Sequence, residues 1–299
     1  MADPSTVMEG LATAGLGTEP AVPLPNTDAA RSRLRWNVPL VVGLAIVILS
    51  TFLAFAAPWL SAHDPLEIAD ASLSAPSSLY LLGTDQLGRD VLARILYATR
   101  TSLSVACLSA ALAFVSGTLI GLVAGYASGL VDAFMMRLLD ILQAFPALLL
   151  AIALVAALGP NLPNLVLTMG VLFTPRFARV ARASTLSVRE RDYVVAAIGL
   201  GVSPIRIMFR HVLPNIAAPL IIEASLTATL AILTEASLSF LGLGVQPPEP
   251  TWGGMIAQST AVMSIAPWLA ISPGLAVVFV VVGFNLVGDG LRDAMDPRS

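Results

Sequence analysis

The sequence of 299 residues contains no lysine, and all sixteen of its basic residues are arginine. A nucleotide-binding Walker A motif uses a lysine to contact the phosphates, so this chain carries no ATPase site of that kind. Charged residues are scarce, at 12% against about 25% in soluble domains, whereas hydrophobic residues make up 57%. The composition predicts an all-α polytopic membrane protein.

Cysteine and histidine are also too few to build a covalent or metal site. Cys107 is the single cysteine, and His63 and His211 are the only histidines, which excludes an internal disulfide and a cluster with metal-ligand spacing. Both histidines fall in predicted loops, so no nucleophile and base are expected at membrane depth. We expect no enzymatic activity and no cofactor bound by this chain.

Six apolar stretches are predicted to cross the membrane, at 38–57, 101–126, 136–158, 165–175, 216–241 and 267–287. Around them we predict a disordered tail at 1–35, a first transmembrane helix within 36–60, an outer loop at 61–100, a membrane core at 101–290 and a tail at 291–299. Thirteen arginines then lie on one side, and only Arg89, Arg94 and Arg100 lie on the other. Positive residues favour the cytoplasmic side, so both termini are predicted to be cytoplasmic.

Two local patterns refine this arrangement. In the outer loop, Leu87, Val91 and Ile95 recur at helical spacing opposite charged residues, which predicts a helix lying along the outer interface. In the second span, Gly117, Gly121 and Gly125 fall four residues apart and predict close packing against another helix.

The longest polar-edged insertion, 190–214, is predicted to form two short helices. Gly199 and Gly201 favour a turn between them, Ser203 is placed to cap the second helix at Pro204, and Pro214 ends it. In that helix an apolar face is predicted opposite two arginines; the face comprises Ile205, Met208, Phe209 and Val212, and the arginines are Arg206 and Arg210. A DNA-binding helix-turn-helix is disfavoured by the membrane-length flanks. An amphipathic helix on the membrane surface remains an alternative.

The residues Ala196-Ala197, Gly201 and Leu213-Pro214 resemble the E-A-A-x-x-x-G-x9-I-x-L-P signature of bacterial ABC-importer permeases. Val195 replaces the usual Glu of that signature, and His211 replaces the usual Ile. The resemblance implies a cytoplasmic coupling helix that docks on an ATPase subunit, with Ala196, Ala197 and Gly201 small so that this subunit can approach the backbone. The coupling residues it implies are Tyr193, Val195, Ala196, Ala197, Gly201, Ile205, Arg206, Arg210, His211 and Pro214.

Further strings, at 81–100, 136–150 and 242–254, resemble the dipeptide, oligopeptide and nickel branch of these permeases. The resemblance covers about residues 80–298 and implies a type I ABC-importer permease in the bacterial inner membrane. The implied partners are a second, related permease, two ATPase subunits that use ATP and Mg, an extracytoplasmic binding protein and the lipid bilayer, with no nucleic acid. The implied solute is a di- or oligopeptide, glutathione, nickel or another small molecule.

Three carboxylates fall within predicted spans and a fourth lies at the end of the last one, where a charge is costly and by default functional: Asp140, Glu223, Glu235 and Asp289. They are candidates for lining the translocation path. Each can instead be a buried hydrogen-bonded residue or lie at the headgroup level. A proton-coupled secondary transporter using Glu223 or Glu235, or a structural membrane subunit, are the rival functions.

Overall fold

The computed structural model describes residues 37–68 and 71–295, and the predicted tail at 1–35 lies outside this part. Its helices, numbered in chain order, are α1 Val38–Leu60, α2 Val91–Ala127, α3 Gly129–Gln143, α4 Ala147–Leu158, α5 Leu162–Arg189, α6 Asp192–Gly199, α7 Pro204–Arg206, α8 Ala217–Phe240, α9 Trp252–Ser259 and α10 Trp268–Met295. A π-helical turn, Ile207–Val212, and a 3-10 turn, Leu213–Asn215, join α7 to α8. β structure among the described residues is limited to one bridge between Thr84 and Asp90. The all-α prediction is confirmed.

Four helices are long and apolar enough to cross a membrane, namely α1, α2, α8 and α10. They correspond to the predicted spans at 38–57, 101–126, 216–241 and 267–287. The last helix extends further than predicted. α10 continues to Met295 and includes the first residues assigned to the tail.

The predicted third span, 136–158, is not one straight helix. α3 and α4 meet at 87° and together make one bent candidate span. The break falls before Pro146, which lacks a backbone N–H and disfavours helical backbone in the residue before it. The amphipathic α3 and the apolar α4 are therefore separate elements.

The predicted fourth span, 165–175, is the first part of a longer helix. α5 passes through Pro175 and ends only at Arg189. Because α5 carries several arginines, length and composition do not place it among the four apolar helices. The helix continues past Pro175 because a proline removes one helical hydrogen bond and the packing of α5 against α2 outweighs that loss. The exit from the membrane near Pro175 stays a prediction.

That packing follows the predicted glycine stripe. A Cβ added to Gly117 would lie 2.5 Å from the carbonyl oxygen of Thr174, and one added to Gly121 would lie 2.2 Å from that of Ala178. A Cβ on Gly125 would lie 2.8 Å from the Cβ of Thr185. The close contact of α2 with α5 therefore requires glycine at all three positions, as predicted.

The separate interfacial helix predicted around Leu87 is not present. Leu87 lies in a turn and is 54% exposed, whereas α2 begins at Val91 and runs without interruption to Ala127. Asp90 caps α2 by accepting from the backbone N–H of Leu92 at 2.9 Å. Gly88, with φ of +77°, adopts the left-handed conformation that ends the turn before the cap. The 83–90 turn and the start of α2 thus replace the predicted helix.

α2 separates two ends of the molecule. At 37 residues it is about 55 Å long, more than the roughly 30 Å thickness of a bilayer core. Near its start, Ser102 Oγ accepts from the backbone N–H of Trp252 at 3.3 Å. Near its end, Arg189 Nη1 donates to the carbonyl oxygen of Tyr126 at 2.8 Å, just before α6. The 83–90 turn and the 190–214 insertion therefore lie at opposite ends.

Candidate coupling surface and interhelical ion pairs

The turn after α6 is closed by two backbone hydrogen bonds. Gly201 N–H donates to the carbonyl of Ile198 at 2.9 Å, and Val202 N–H donates to that of Ala197 at 3.1 Å. Gly201 has φ of +74°, the left-handed conformation expected of glycine in this helix-ending motif. The predicted turn is confirmed at Gly201, whereas Gly199 is the last residue of α6.

The second helix begins as predicted at Pro204 but widens after Arg206 into a π-helical turn. Ser203 holds the cap position, yet its side chain makes no cap hydrogen bond. Pro214 has no N–H to donate four residues back, and its ring would clash with the carbonyl of Arg210 in a regular α-helix. Widening the turn relieves that clash, and a 3-10 turn then leads into α8.

The wider turn changes which residues face inward. The predicted apolar face placed Ile205, Phe209 and Val212 together, but Ile205 is 69% and Phe209 48% exposed. The buried residues are Ile207 and Val212, which lie five residues apart, a spacing that an i→i+5 π-helical turn brings to one side. The prediction assumed 3.6 residues per turn and was wrong for this reason.

The segment from α6 to Phe209 exposes both apolar and cationic side chains, which together are here called the coupling surface. Its apolar members are Tyr193, Val195, Ile198, Leu200, Ile205 and Phe209. Leu200 at its tip is 84% exposed. Arg206 and Arg210 are exposed on the same segment. Large apolar residues exposed beside cations are typical of a protein-binding site.

The small residues of this region have different surroundings. Ala196 is exposed, whereas Ala197 is 8% exposed and belongs to the core together with Val194. The expectation that Ala197 is small to admit a partner is wrong, because Ala197 packs within the chain. Gly201 has no atom within 4 Å of an added Cβ, so its backbone conformation, not its size, requires glycine.

Tyr193 and Asn215 contact the π-helical turn at the backbone carbonyl of His211. Asn215 Nδ2 donates to the carbonyl oxygen of His211 at 2.7 Å, and Tyr193 Oη lies 3.4 Å from the same oxygen. His211 is half-buried. No local sequence pattern indicates this contact, because the contact depends on the non-α geometry.

Three arginines of α5 form ion pairs with carboxylates of neighbouring helices. Arg176 Nε lies 2.8 Å from Glu223 Oε1 on α8, and Arg179 Nη2 lies 2.8 Å from Asp140 Oδ1 on α3. Arg182 Nε lies 2.5 Å from Asp132 Oδ1, also on α3. Asp140 and Glu223, predicted as path residues, are therefore each paired with an arginine of α5. Asp132 was predicted to lie in a loop and was missed.

The other two predicted path residues have different environments. Glu235 is fully buried, and its Oε1 accepts from Ser239 Oγ at 2.7 Å. Its Oε2 has no hydrogen-bond partner among the described residues. Because Glu235 is enclosed within the chain, it lines no surface in this structure. Asp289 is exposed on α10.

Residues 117–299 match the family described as "Binding-protein-dependent transport system inner membrane component". The chain belongs to this family of ABC-importer permeases. Residues 27–76 of the permease also match "N-terminal TM domain of oligopeptide transport permease C". As a transport permease component it is not an ATPase, and ATP hydrolysis belongs to partner subunits. It works with ATPase and binding-protein components as a multi-pass inner-membrane protein.

Several curated proteins resemble the permease along most of their length. The dipeptide transport system permease protein DppC of Escherichia coli is 45% identical, with 88% of this chain and 90% of that protein covered. DppC of Alkalihalophilus pseudofirmus is 42% identical, with 90% and 89% covered. The glutathione transport system permease protein GsiD of Pectobacterium atrosepticum is 41% identical, with 96% of both covered.

The fold also resembles a solved transporter. A structure of the inward-facing MetNI methionine ABC transporter matches with a TM-score of 0.57 and 17% identity, and covers 69% of this chain and 97% of that one. This likeness shows the type I ABC-importer permease fold.

Proposed function

We propose that this permease carries di- or oligopeptides, including glutathione-like peptides, across the inner membrane. The proposal is supported by relatives that are named as dipeptide, di/tripeptide and glutathione permeases and match nearly the full chain. These solutes share a free ammonium group, a free carboxylate and a peptide backbone. The substrate class is therefore a short zwitterionic peptide.

The coupling surface is the proposed contact with an ATPase subunit, and it is the observation that carries the proposed mechanism. It lies on short helices between α5 and α8, and Leu200 and Ile205 are among its most exposed apolar residues. An apolar tip flanked by Arg206 and Arg210 suits a groove with an apolar floor and acidic rims. Tyr193, Val195, Ala196 and Ile198 extend the contact along α6, while Gly201, His211 and Pro214 shape it.

In the proposed complex this chain pairs with a second, related but different permease. Two ATPase subunits hold ATP and Mg, and an extracytoplasmic binding protein delivers the peptide. Both termini and the coupling surface face the cytoplasm. The arginine distribution supports this orientation, because the coupling region contributes Arg206 and Arg210 and follows the arginine-rich end of α5.

The ion pairs of α5 weigh against a proton-coupled secondary transporter. Glu223 is bound to Arg176, and Glu235 is enclosed, so neither carboxylate is open to the water-filled path that a proton relay needs. A purely structural subunit would have no use for an exposed apolar coupling surface.

Uptake by the purified complex in proteoliposomes tests the proposal. Labelled dialanine should accumulate only with external binding protein, internal ATP and Mg. A proton gradient without ATP should drive no uptake. Accumulation driven by that gradient alone would establish the secondary-transporter alternative, and failure with dialanine, trialanine and glutathione together would exclude a peptide substrate.

A further inference from the structure

A charged cleft lies at the end of the molecule opposite the coupling surface. It has two adjoining lobes of about 270 and 260 Å³, formed by the 83–90 turn, the first turn of α2 and the segment from Ser239 to Ser259. Both lobes are lined by Arg94, Pro247, Glu249, Met255 and Gln258. A volume of this size accommodates a molecule no larger than a short peptide.

Arg94 forms the inner wall of this cleft and has few partners for its charge. Its side chain is only 3% exposed. Arg94 Nε lies 3.4 Å from Asp85 Oδ2, and Nη1 lies 3.4 Å from the carbonyl oxygen of Pro65. Both contacts are long for a guanidinium group, which has five N–H donors. A buried cation is costly unless an anion offsets its lost hydration.

Asp85 offsets the charge of Arg94 only in part, because its shorter contacts are to Arg89. Its Oδ2 accepts from Arg89 Nε at 2.8 Å and lies 2.7 Å from Arg89 Nη2. Its Oδ1 accepts from the backbone N–H groups of Leu87 and Arg89 at 2.8 and 3.0 Å. One carboxylate thus faces two guanidinium groups, and the cleft carries an excess of positive charge at its inner wall.

Glu249 supplies the opposite charge on the same cleft. It is exposed on the loop between α8 and α9, and lines both lobes. A guanidinium at the inner wall and a carboxylate at an exposed position match the two ends of a zwitterion. The arrangement favours a ligand with a carboxylate and an ammonium group over an ion of either sign alone.

We propose that this cleft binds a free short peptide directly, with Arg94 holding the peptide carboxylate and Glu249 the peptide ammonium. The identity of the ligand rests on the proposed function. On the proposed orientation the cleft opens on the extracytoplasmic side, so it would hold a peptide before that peptide enters the translocation path. This site is additional to the binding protein's own.

Binding to the complete transporter in nanodiscs, without binding protein, tests the site. The probes are dialanine, its C-terminal amide and its N-acetyl form, each titrated by calorimetry. Dialanine should bind, and each capped form should bind roughly ten- to a hundred-fold more weakly, the loss of one charge-assisted interaction. Equal affinity for all three probes, or no binding of dialanine, would overturn the proposal.

Variants of Glu249 and Arg94 assign the two ends of the ligand. Glu249→Gln changes an exposed residue and should weaken dialanine binding without affecting N-acetyl-dialanine. Arg94→Lys should retain part of the affinity, and Arg94→Gln should abolish the preference for the free carboxylate. Arg100→Gln alters an exposed arginine of the same helix and should leave every affinity unchanged. An unchanged dialanine affinity in Glu249→Gln would overturn the assigned role of Glu249 even if Arg94 variants fail to fold.

A separate measurement tests whether Arg94 instead binds an acidic side chain of the binding protein. If Arg94→Gln weakens association of the binding protein while the wild-type complex binds no dialanine, the cleft is a protein contact and the proposal is wrong. Transport by the wild-type complex with binding protein present reports on the proposed function alone. A transporting complex with no cleft binding therefore contradicts only this inference.

Discussion

The backbone N–H of Val202 donates to the carbonyl oxygen of Ala197, 3.1 Å away, across the turn that presents the coupling surface. This hydrogen bond spans five residues and buries Ala197 beneath the turn. The shape of the coupling surface therefore depends on contacts within the permease before any partner binds.

Gly201→Val should disrupt that turn. A β-branched residue in the left-handed conformation costs about 1–2 kcal/mol, whereas asparagine tolerates it. Because an added Cβ meets nothing within 4 Å, Gly201→Asn should retain ATPase co-purification while Gly201→Val reduces it. Equal co-purification of the two variants would show that backbone strain at Gly201 is unimportant.

Ala196→Arg and Ala197→Arg should damage different properties of the permease. Ala196 is exposed, so its variant should insert and pair normally but lose ATPase binding. Ala197 is buried, so its variant should lower the thermal stability of the permease itself, by the several kcal/mol typical of a buried unpaired charge. Val195→Glu restores the residue that the permease signature usually has at this position, so it should be tolerated or mildly strengthen ATPase binding. Thermal unfolding and co-purification, measured on each variant, separate the two effects.

The Arg176–Glu223 pair should contribute more to stability than the Arg179–Asp140 pair. Glu223 is 13% exposed in its side chain, while Arg179 and Asp140 are both 53% exposed. Screening by solvent limits the contribution of the Arg179–Asp140 pair to stability to about 1 kcal/mol or less. Double-mutant cycles with Gln and Asn replacements should therefore give a coupling energy at least twofold larger for the first pair. Similar values would contradict the role of burial.

Glu235→Gln should preserve uptake, whereas Glu235→Leu should impair it. The amide oxygen of glutamine keeps the hydrogen bond from Ser239, and leucine removes it. Membrane insertion should be intact in both variants. Uptake kinetics as poor for Gln as for Leu would show that the carboxyl group itself is required.

Reporter fusions test the proposed orientation. Reporters after Ser299 and near Ser203 should give a cytoplasmic signal, and one near Ser77 an extracytoplasmic signal. A cytoplasmic signal at Ser77 would contradict both the orientation and the proposed exposure of the charged cleft to the outside.

The sequence was sufficient for the long apolar helices, the glycine contact and the turn at Gly201, because each follows from hydropathy or from a residue with few conformations. It was insufficient for the π-helical turn, because that turn does not have 3.6 residues per turn. As a result Ile207 is buried, whereas Ile205 and Phe209 are exposed. The sequence also left open whether the carboxylates line the translocation path or pair with other side chains. Whether Asp140 and Glu223 face water or an arginine depends on contacts between α5 and its neighbours, which no local pattern reports.

The three glycines that join α2 to α5 also limit how this protein can change shape. With backbone atoms in close contact along that seam, we expect the two helices to move together as one unit. α5 leads directly into the coupling surface, and α2 begins beside the charged cleft. We therefore expect a displacement of α5 at the coupling surface to move α2 at the charged cleft as well, and the change between transport states to bend other elements, such as α3 and α4.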